Sequence, residues 1–230
     1  MKTIGLIGGT GWLSTLDYYR LINQEINKRE GGHTTARCVI YSFNYADIHE
    51  CNIRDDNEGV YKLTLDAALK LKSASADFIV ICANTLHQYV ERLYDEVKLP
   101  IVHIADATAA AIKEKGLKTI GLLGTRFTME MDFYTKRLSA AGINSLVPGK
   151  PERNFIHSVI MDELLHEIFK PESKQKFLKI IDDLERRGAQ GIVLGCTEIP
   201  LLIKQEDISL PVFNTLQLHA MAAVEFALRD

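Results

Sequence analysis

The chain has 230 residues, of which 47% are hydrophobic and 25% charged, room for one large domain or two small ones. A formal net charge of −3 leaves no polybasic footprint, which argues against nucleic acid or an anionic membrane surface as the main partner. No apolar run reaches the ~18 residues of a membrane span, and MKTIGLIGGTG leads straight into a strand without a leader-like segment, so a cytoplasmic protein is expected.

In chain order, Thr3 to Ile7 reads as a strand and Gly8-Gly9-Thr10-Gly11 as a tight turn that lets backbone approach a ligand. Ser14 or Thr15 is placed to cap the next helix, whose apolar face is Tyr18, Tyr19, Leu21, Ile22 and Ile26, with Gly31-Gly32 at its end. Ala36 to Phe43 is a second strand. The polar stretch Asn44 to Glu58 has no clear periodicity and is expected to be a lid or substrate loop. A helix over 60–73 leads to a buried strand over 77–82, then come a helix over 87–97 and a strand over 101–104.

The pattern then begins again. KTIGLLGTRFT from Lys118 repeats KTIGLIGGTGW from Lys2, GIVLGCTEI from Gly191 repeats FIVICANTL from Phe78, and LPVF from Leu210 repeats LPIV from Leu99. The offsets are 116, 113 and 111 residues, in the same order. A duplicated α/β unit follows: two half-sized parallel sheets with helices on both faces. The helix over 218–228 comes too late for the second unit and is expected to return to the first. The expected domains are therefore 1–106 with 217–230, and 107–216. Ligands of parallel sheets bind at the carboxyl ends of strands, so the expected site is a cleft into which four strand ends converge. Those ends carry Gly8–Thr15, Ala83–Thr85, Thr125–Thr128 and Cys196–Glu198, small hydroxyls and amides beside helix starts, a cradle for a carboxylate.

The four cysteines (Cys38, Cys51, Cys82, Cys196) show no CxxC pair and are expected to be thiols. His157, Asp162, Glu163 and His166 lie close together in a charged helical stretch, which reads as a solvated face; no metal is expected. In the aligned repeats Asn84-Thr85 match Thr197-Glu198, and Ala83 stands opposite Cys196. Cys82 is one residue earlier, on the other face of its strand, and reads as a packing thiol.

These motifs carry a resemblance. Gly8-Gly9-x-x-Trp12-x-Ser14-Thr15 with Tyr18-Tyr19, the segment Cys82–Thr85, GLLGTRFTME at Gly121–Glu130 and GCTE at Gly195–Glu198 together resemble the aspartate/glutamate racemase family, most nearly its broad-specificity amino-acid branch. The resemblance implies a cofactor-independent, homodimeric racemase of a small amino acid or related carboxylate. In such enzymes two cysteines flank Cα, one removing its proton while the other donates one. Cys196 falls on the second catalytic cysteine, and the first falls on Ala83, which exchanges no proton.

Three readings of Ala83 stay open. It is a substitution that traps a ligand, the mark of a one-thiol branch with water, Thr85 or His87 completing the other face, or the sign of a changed activity. A single-cysteine decarboxylase or isomerase, or an amino-acid-binding homologue without turnover, would fit the last. The resemblance further implies substrate contacts from Thr10, Trp12, Ser14, Thr15, Asn84, Thr85, Thr125, Thr128 and Thr197. Glu198 is placed with them; it replaces the histidine that follows GCT in glutamate racemases and so favours the aspartate or broad-specificity branch. Arg54 is either the partner of a side-chain carboxylate or a solvated surface charge.

Two other families are weaker fits. Gly5-x-x-Gly8-x-x-Gly11 with Tyr94-x-x-x-Lys98 imitates a dinucleotide-dependent reductase, but the tyrosine and lysine come at a helix end far too early. IGLIGGTG also resembles the start of nucleoside phosphorylases, which the internal repeat contradicts.

Overall fold

The computed structural model describes residues 1–229. Each half is a four-stranded parallel sheet. Strands β1 (Ile4–Gly8), β2 (Cys38–Ser42), β3 (Phe78–Ile81) and β4 (Ile101–Val102) lie in the order β2-β1-β3-β4. Strands β5 (Thr119–Gly124), β6 (Asn144–Leu146), β7 (Ile192–Gly195) and β8 (Val212–Asn214) take the same order, β6-β5-β7-β8. Identical strand order is what a duplication of one unit produces.

The helices are α1 (Trp12–Glu30), α2 (Tyr45–Ile53), α3 (Asn57–Ser73), α4 (Val90–Val97), α5 (Ile104–Glu114) and α6 (Arg126–Glu130). They continue as α7 (Asp132–Ala140), α8 (Lys150–Asp162), α9 (Pro171–Arg186), α10 (Ile199–Leu202) and α11 (Thr215–Leu228). Every residue of β1, β3 and β7 is buried, as expected of central parallel strands covered on both faces. Phe78, Ile79, Val80 and Ile81 are wholly buried, and each contributes roughly 1.5–3 kcal/mol of hydrophobic stabilisation, less what ordering it costs.

The chain divides into two compact units, Met1–Ile104 with the stretch from His219 onward, and Ala105–Leu218. Helix α11 ties its C-terminal part to the first unit. Phe226 packs on Phe78 at 4.6 Å between ring centroids, and Lys2 N–H donates to Ala227 O at 2.9 Å. Helix α5 works the same way for the second unit, where the Tyr134 hydroxyl donates to Thr108 at 2.9 Å and Arg137 pairs with Asp106 at 2.7 Å.

The structure corrects three local expectations. The stretch 44–58 is not a loop: it holds α2 and the start of α3. Asn44 accepts a hydrogen bond from Ala46 N–H and Asp56 from Gly59 N–H, so side-chain caps punctuate a sequence whose periodicity is weak. Ile48 and Cys51 supply its buried side. Neither Ser14 nor Thr15 caps α1, which starts after Gly11, so both sit inside its first turn. The helix over 87–97 opens as a 3-10 turn, Thr85–Tyr89, before α4. Among the described residues no helix is long and apolar enough to cross a membrane.

Candidate functional site

In the second unit the site is built on two glycines. Gly124 and Gly195 are register partners at the ends of β5 and β7. A Cβ on Gly124 would stand 2.9 Å from Gly195 O, and one on Gly195 2.9 Å from Leu123 O. Their absence lets the wholly buried Thr128 pack against both. Thr125 caps α6, its hydroxyl oxygen accepting from Thr128 N–H at 3.4 Å.

Immediately beyond Gly195 lie Cys196, Thr197 and Glu198. Cys196 is only 7% exposed, and its thiol donates to Glu198 Oε2 at 2.9 Å. Thr197 Oγ1 donates to the same oxygen at 2.8 Å. Burial pushes the Cys196 thiol well above its ordinary value, and the adjacent Glu198 carboxylate pushes it further. The backbone N–H groups of Glu198 and Thr197 pull the other way without reversing this. At neutral pH Cys196 is a protonated thiol, fit to donate a proton. Thr197 does not cap the helix that follows, since α10 starts without a side-chain cap; its hydroxyl is committed to Glu198.

In the first unit the equivalent strand ends are β1 and β3. Gly8 has no room for a side chain: a Cβ would lie 2.4 Å from Thr15 Cγ2. Gly9, at φ +88°, takes a backbone conformation that favours glycine, and a Cβ there would meet Phe43 N at 2.3 Å. Thr15 Oγ1 accepts from Gly9 N–H at 2.9 Å and donates to Gly11 O at 3.2 Å, so it locks the turn. Ser14 is buried beside it. The Thr10 hydroxyl is buried and finds no hydrogen-bond partner among the described residues.

Beyond β3, Cys82 is buried, and burial is what pushes its thiol up. Ala83 is half-buried. The buried Asn84 begins the 3-10 turn, and the half-buried Thr85 is its first residue; neither caps it through a side chain.

The carbonyl of Ala83 accepts from His87 Nδ1 at 2.7 Å. A carbonyl only accepts, so Nδ1 carries the proton and Nε2 is a bare acceptor. That Nε2 is buried and has no hydrogen-bond partner among the described residues. His87 packs edge-on against His103, 4.7 Å between centroids, and His219, 5.2 Å. Burial, reinforced by His103 and His219, holds His87 well below the usual histidine range, so its ring is neutral. His219 is fixed from both sides: Nδ1 lies 2.7 Å from the Tyr18 hydroxyl and Nε2 2.8 Å from Val102 O. Its Nε2 carries the proton, and Tyr18 donates to Nδ1. Buried polar atoms left unpaired among the described residues, here Thr10 Oγ1 and His87 Nε2, are uncommon.

Sequence reasoning did not single out His103 and His219. Each is one imidazole in an apolar stretch, after Ile101-Val102 and within Leu216–Ala223, and that isolation is the only local signal. Two expected contacts lie outside these clusters. Trp12 is 61% exposed on α1. The Arg54 side chain is 66% exposed and reaches Glu50 at 3.6 Å, which is the surface-charge alternative for that residue. Of the four acid and imidazole groups around 157–166, Glu163 accepts from Ser173 at 2.7 Å and pairs with Lys170.

Comparison with known proteins bears on the same strands. A broad-specificity amino-acid racemase of Bacillus subtilis (strain 168), RacX, is 24% identical over 222 residues, 92% of each chain. The crystal structure of a candidate Asp/Glu racemase from Yersinia pestis is 42% identical with a TM-score of 0.94, covering 100% of both chains. That of an aspartate racemase homologue from Pyrococcus horikoshii OT3 is 36% identical with a TM-score of 0.85, again over 100% of both. A family profile described as Asp/Glu/Hydantoin racemase matches residues 7–223, a span that runs from the end of β1 through both sheets and into α11. The duplicated sheets, the glycine-lined strand ends and the matches over nearly the whole chain agree, and the chain belongs to the Asp/Glu/hydantoin racemase family.

Proposed function

We propose that this protein is an isomerase, an amino-acid racemase that moves a Cα proton with the Cys196 thiol and without pyridoxal phosphate or any other cofactor. The substrate class is aspartate, glutamate or a neutral amino acid, held by its carboxylate against the small polar groups at the strand ends. The observation that carries this reading is the Cys196–Thr197–Glu198 cluster, a buried thiol aimed at a carboxylate at the carboxyl end of β7. Loss of a Cα proton leaves a planar carbanion, and racemisation needs an acid and a base on its opposite faces. Cys196 supplies one. The pseudo-equivalent position is Ala83, so the chemistry is expected to be one-sided; His87, whose Nδ1 holds the Ala83 carbonyl, carries a bare, buried Nε2 on its other side.

Ala83 also favours a second reading, one-faced protonation of a carbanion formed by decarboxylation. Further, α1 presents Trp12, Leu16 and Tyr19, 61%, 55% and 47% exposed, at i, i+4 and i+7. That stripe supports a homodimer formed through α1. Four free cysteines fit the reducing cytoplasm.

The test is exchange of the Cα hydrogen for deuterium in heavy water, measured by NMR on both enantiomers of a panel of amino acids. Exchange confined to one enantiomer and abolished by Cys196→Ala is expected. Ala83→Cys is expected to extend it to the other enantiomer. Amino-acid binding with no exchange in either protein would refute the racemase reading.

A further inference from the structure

The thiol of Cys196 is poorly placed to act as a base by itself. To abstract a proton as a thiolate it would have to lose its own proton first, leaving S⁻ and the Glu198 carboxylate as two buried anions 2.9 Å apart. Two like charges at that distance away from water do not coexist readily. Glu198 is the charged group that bears on Cys196 among the described residues, and its Oε2 already receives both the thiol proton and the Thr197 hydroxyl proton. Thr197 holds that oxygen in place, and the backbone N–H groups of residues 197 and 198 face the sulfur.

We propose that Cys196 and Glu198 are a proton-sharing dyad, in which Glu198 Oε2 takes the thiol proton as the sulfur takes the hydrogen of Cα. In that step the Cα–H and original S–H bonds break, a new S–H and a Glu198 O–H form, and the Cα electron pair stays on the substrate. One negative charge leaves the dyad and appears on the carbanion, so the dyad never holds two anions of its own. Run in reverse, the thiol protonates the carbanion and Glu198 returns a proton to sulfur. Glu198 acts on Cα through Cys196, so in this step it is a positioning residue for the thiol's proton.

The substrate step rests on the racemase reading above; the thiol–carboxylate coupling does not. Two measurements therefore run side by side on wild type, Glu198→Gln and Glu198→Asp. The first is the pH dependence of Cys196 alkylation by iodoacetamide, followed on the Cys196 peptide by mass spectrometry so that Cys38, Cys51 and Cys82 are read separately. Glu198→Gln keeps the shape and removes the charge, and is expected to lower the alkylation midpoint by at least about one pH unit, a tenfold gain in thiolate at a fixed pH. The second is the pH profile of Cα exchange. Wild type is expected to be flat around neutrality. Glu198→Gln is expected to be at least about tenfold slower there and to climb with pH as thiolate forms, and Glu198→Asp to restore the flat shape.

An unmoved alkylation midpoint, or exchange in Glu198→Gln with the wild-type profile, would overturn the dyad. A fall in both alkylation and exchange would reduce Glu198 to a packing role and overturn it too. If no protein exchanges any Cα hydrogen, the racemase reading fails, and the midpoint alone then decides the coupling. Should Glu198→Gln not fold, a Glu198→Asp protein with the wild-type midpoint and profile supports the dyad, and one with the rising profile overturns it.

Discussion

Replacing His219 by glutamine is expected to make the protein less sensitive to acid. His219 is wholly buried, and burial lowers its pKa from 6.5 to about 4, partly opposed by the bond to Val102 O. The unfolded chain therefore binds a proton at this histidine more readily than the folded one does. The stability tied to the neutral ring is fully present above pH 6.5 and is lost as pH falls through about 4. Lowering from 6.5 to about 4 corresponds to roughly 3 kcal/mol in all, of which about 2 to 3 kcal/mol is already gone near pH 4.5. Glutamine does not titrate, yet its amide can donate to Val102 O and accept from the Tyr18 hydroxyl, the two bonds the ring makes.

Urea unfolding near pH 7.5 and near pH 4.5 provides the assay. The wild type is expected to lose at least about 2 to 3 kcal/mol more than His219→Gln between the two conditions; His87, whose ring His219 helps keep neutral, is relieved in the variant and changes the difference in the same direction. A difference below about 1 kcal/mol would refute the argument, since the ring would then be reached by water or protonated inside the fold.

Gly8→Ala is expected to cost about 1–3 kcal/mol, because its Cβ would stand 2.4 Å from Thr15 Cγ2 and 2.5 Å from Oγ1. Adding Thr15→Ala removes the two closest contacts, leaving only Thr15 Cβ at 3.0 Å, together with the Gly9 N–H bond, so a double-mutant cycle in thermal or urea unfolding is expected to be less than additive; strict additivity would mean the clash is not what excludes a side chain. Trp12→Glu with Leu16→Glu places charges on the exposed stripe of α1 and is expected to give a monomer in size-exclusion chromatography with light scattering, and a dimer that survives both changes would place its interface elsewhere.

Much of this architecture is legible in the residues because parallel strands buried on both faces are written as unbroken apolar runs. Phe78–Ile81 and Ile192–Leu194 are such runs, and their repetition with the flanking glycines gave the two-sheet pattern before any strand was placed. The segment 44–58 was not legible in this way. Its two helices depend on the Asn44 and Asp56 caps and on the burial of Ile48 and Cys51, and weak local periodicity carries little trace of either. Thr15 looked like a cap and instead bridges Gly9 and Gly11, because the helix begins four residues earlier than a cap at Thr15 would place it.

The sequence by itself determined which strand end bears a thiol and which bears a methyl, since aligning the two copies needs only the order of residues. Cys196 and Ala83 were set opposite each other on that basis alone. Tertiary structure decided what each position is paired with. Side chains two residues apart, as Cys196 and Glu198 are, meet only because the chain leaves β7 and turns toward α10, bringing thiol and carboxylate to 2.9 Å in a buried place. His87, His103 and His219 are brought together from β3's end, β4's end and α11, separated by up to 132 residues, and only packing makes one cluster of them beside Ala83. The physical reason is the same in both cases: residue order fixes the inventory of groups, while burial and distance, which set their protonation and their reach, exist only once the chain is folded.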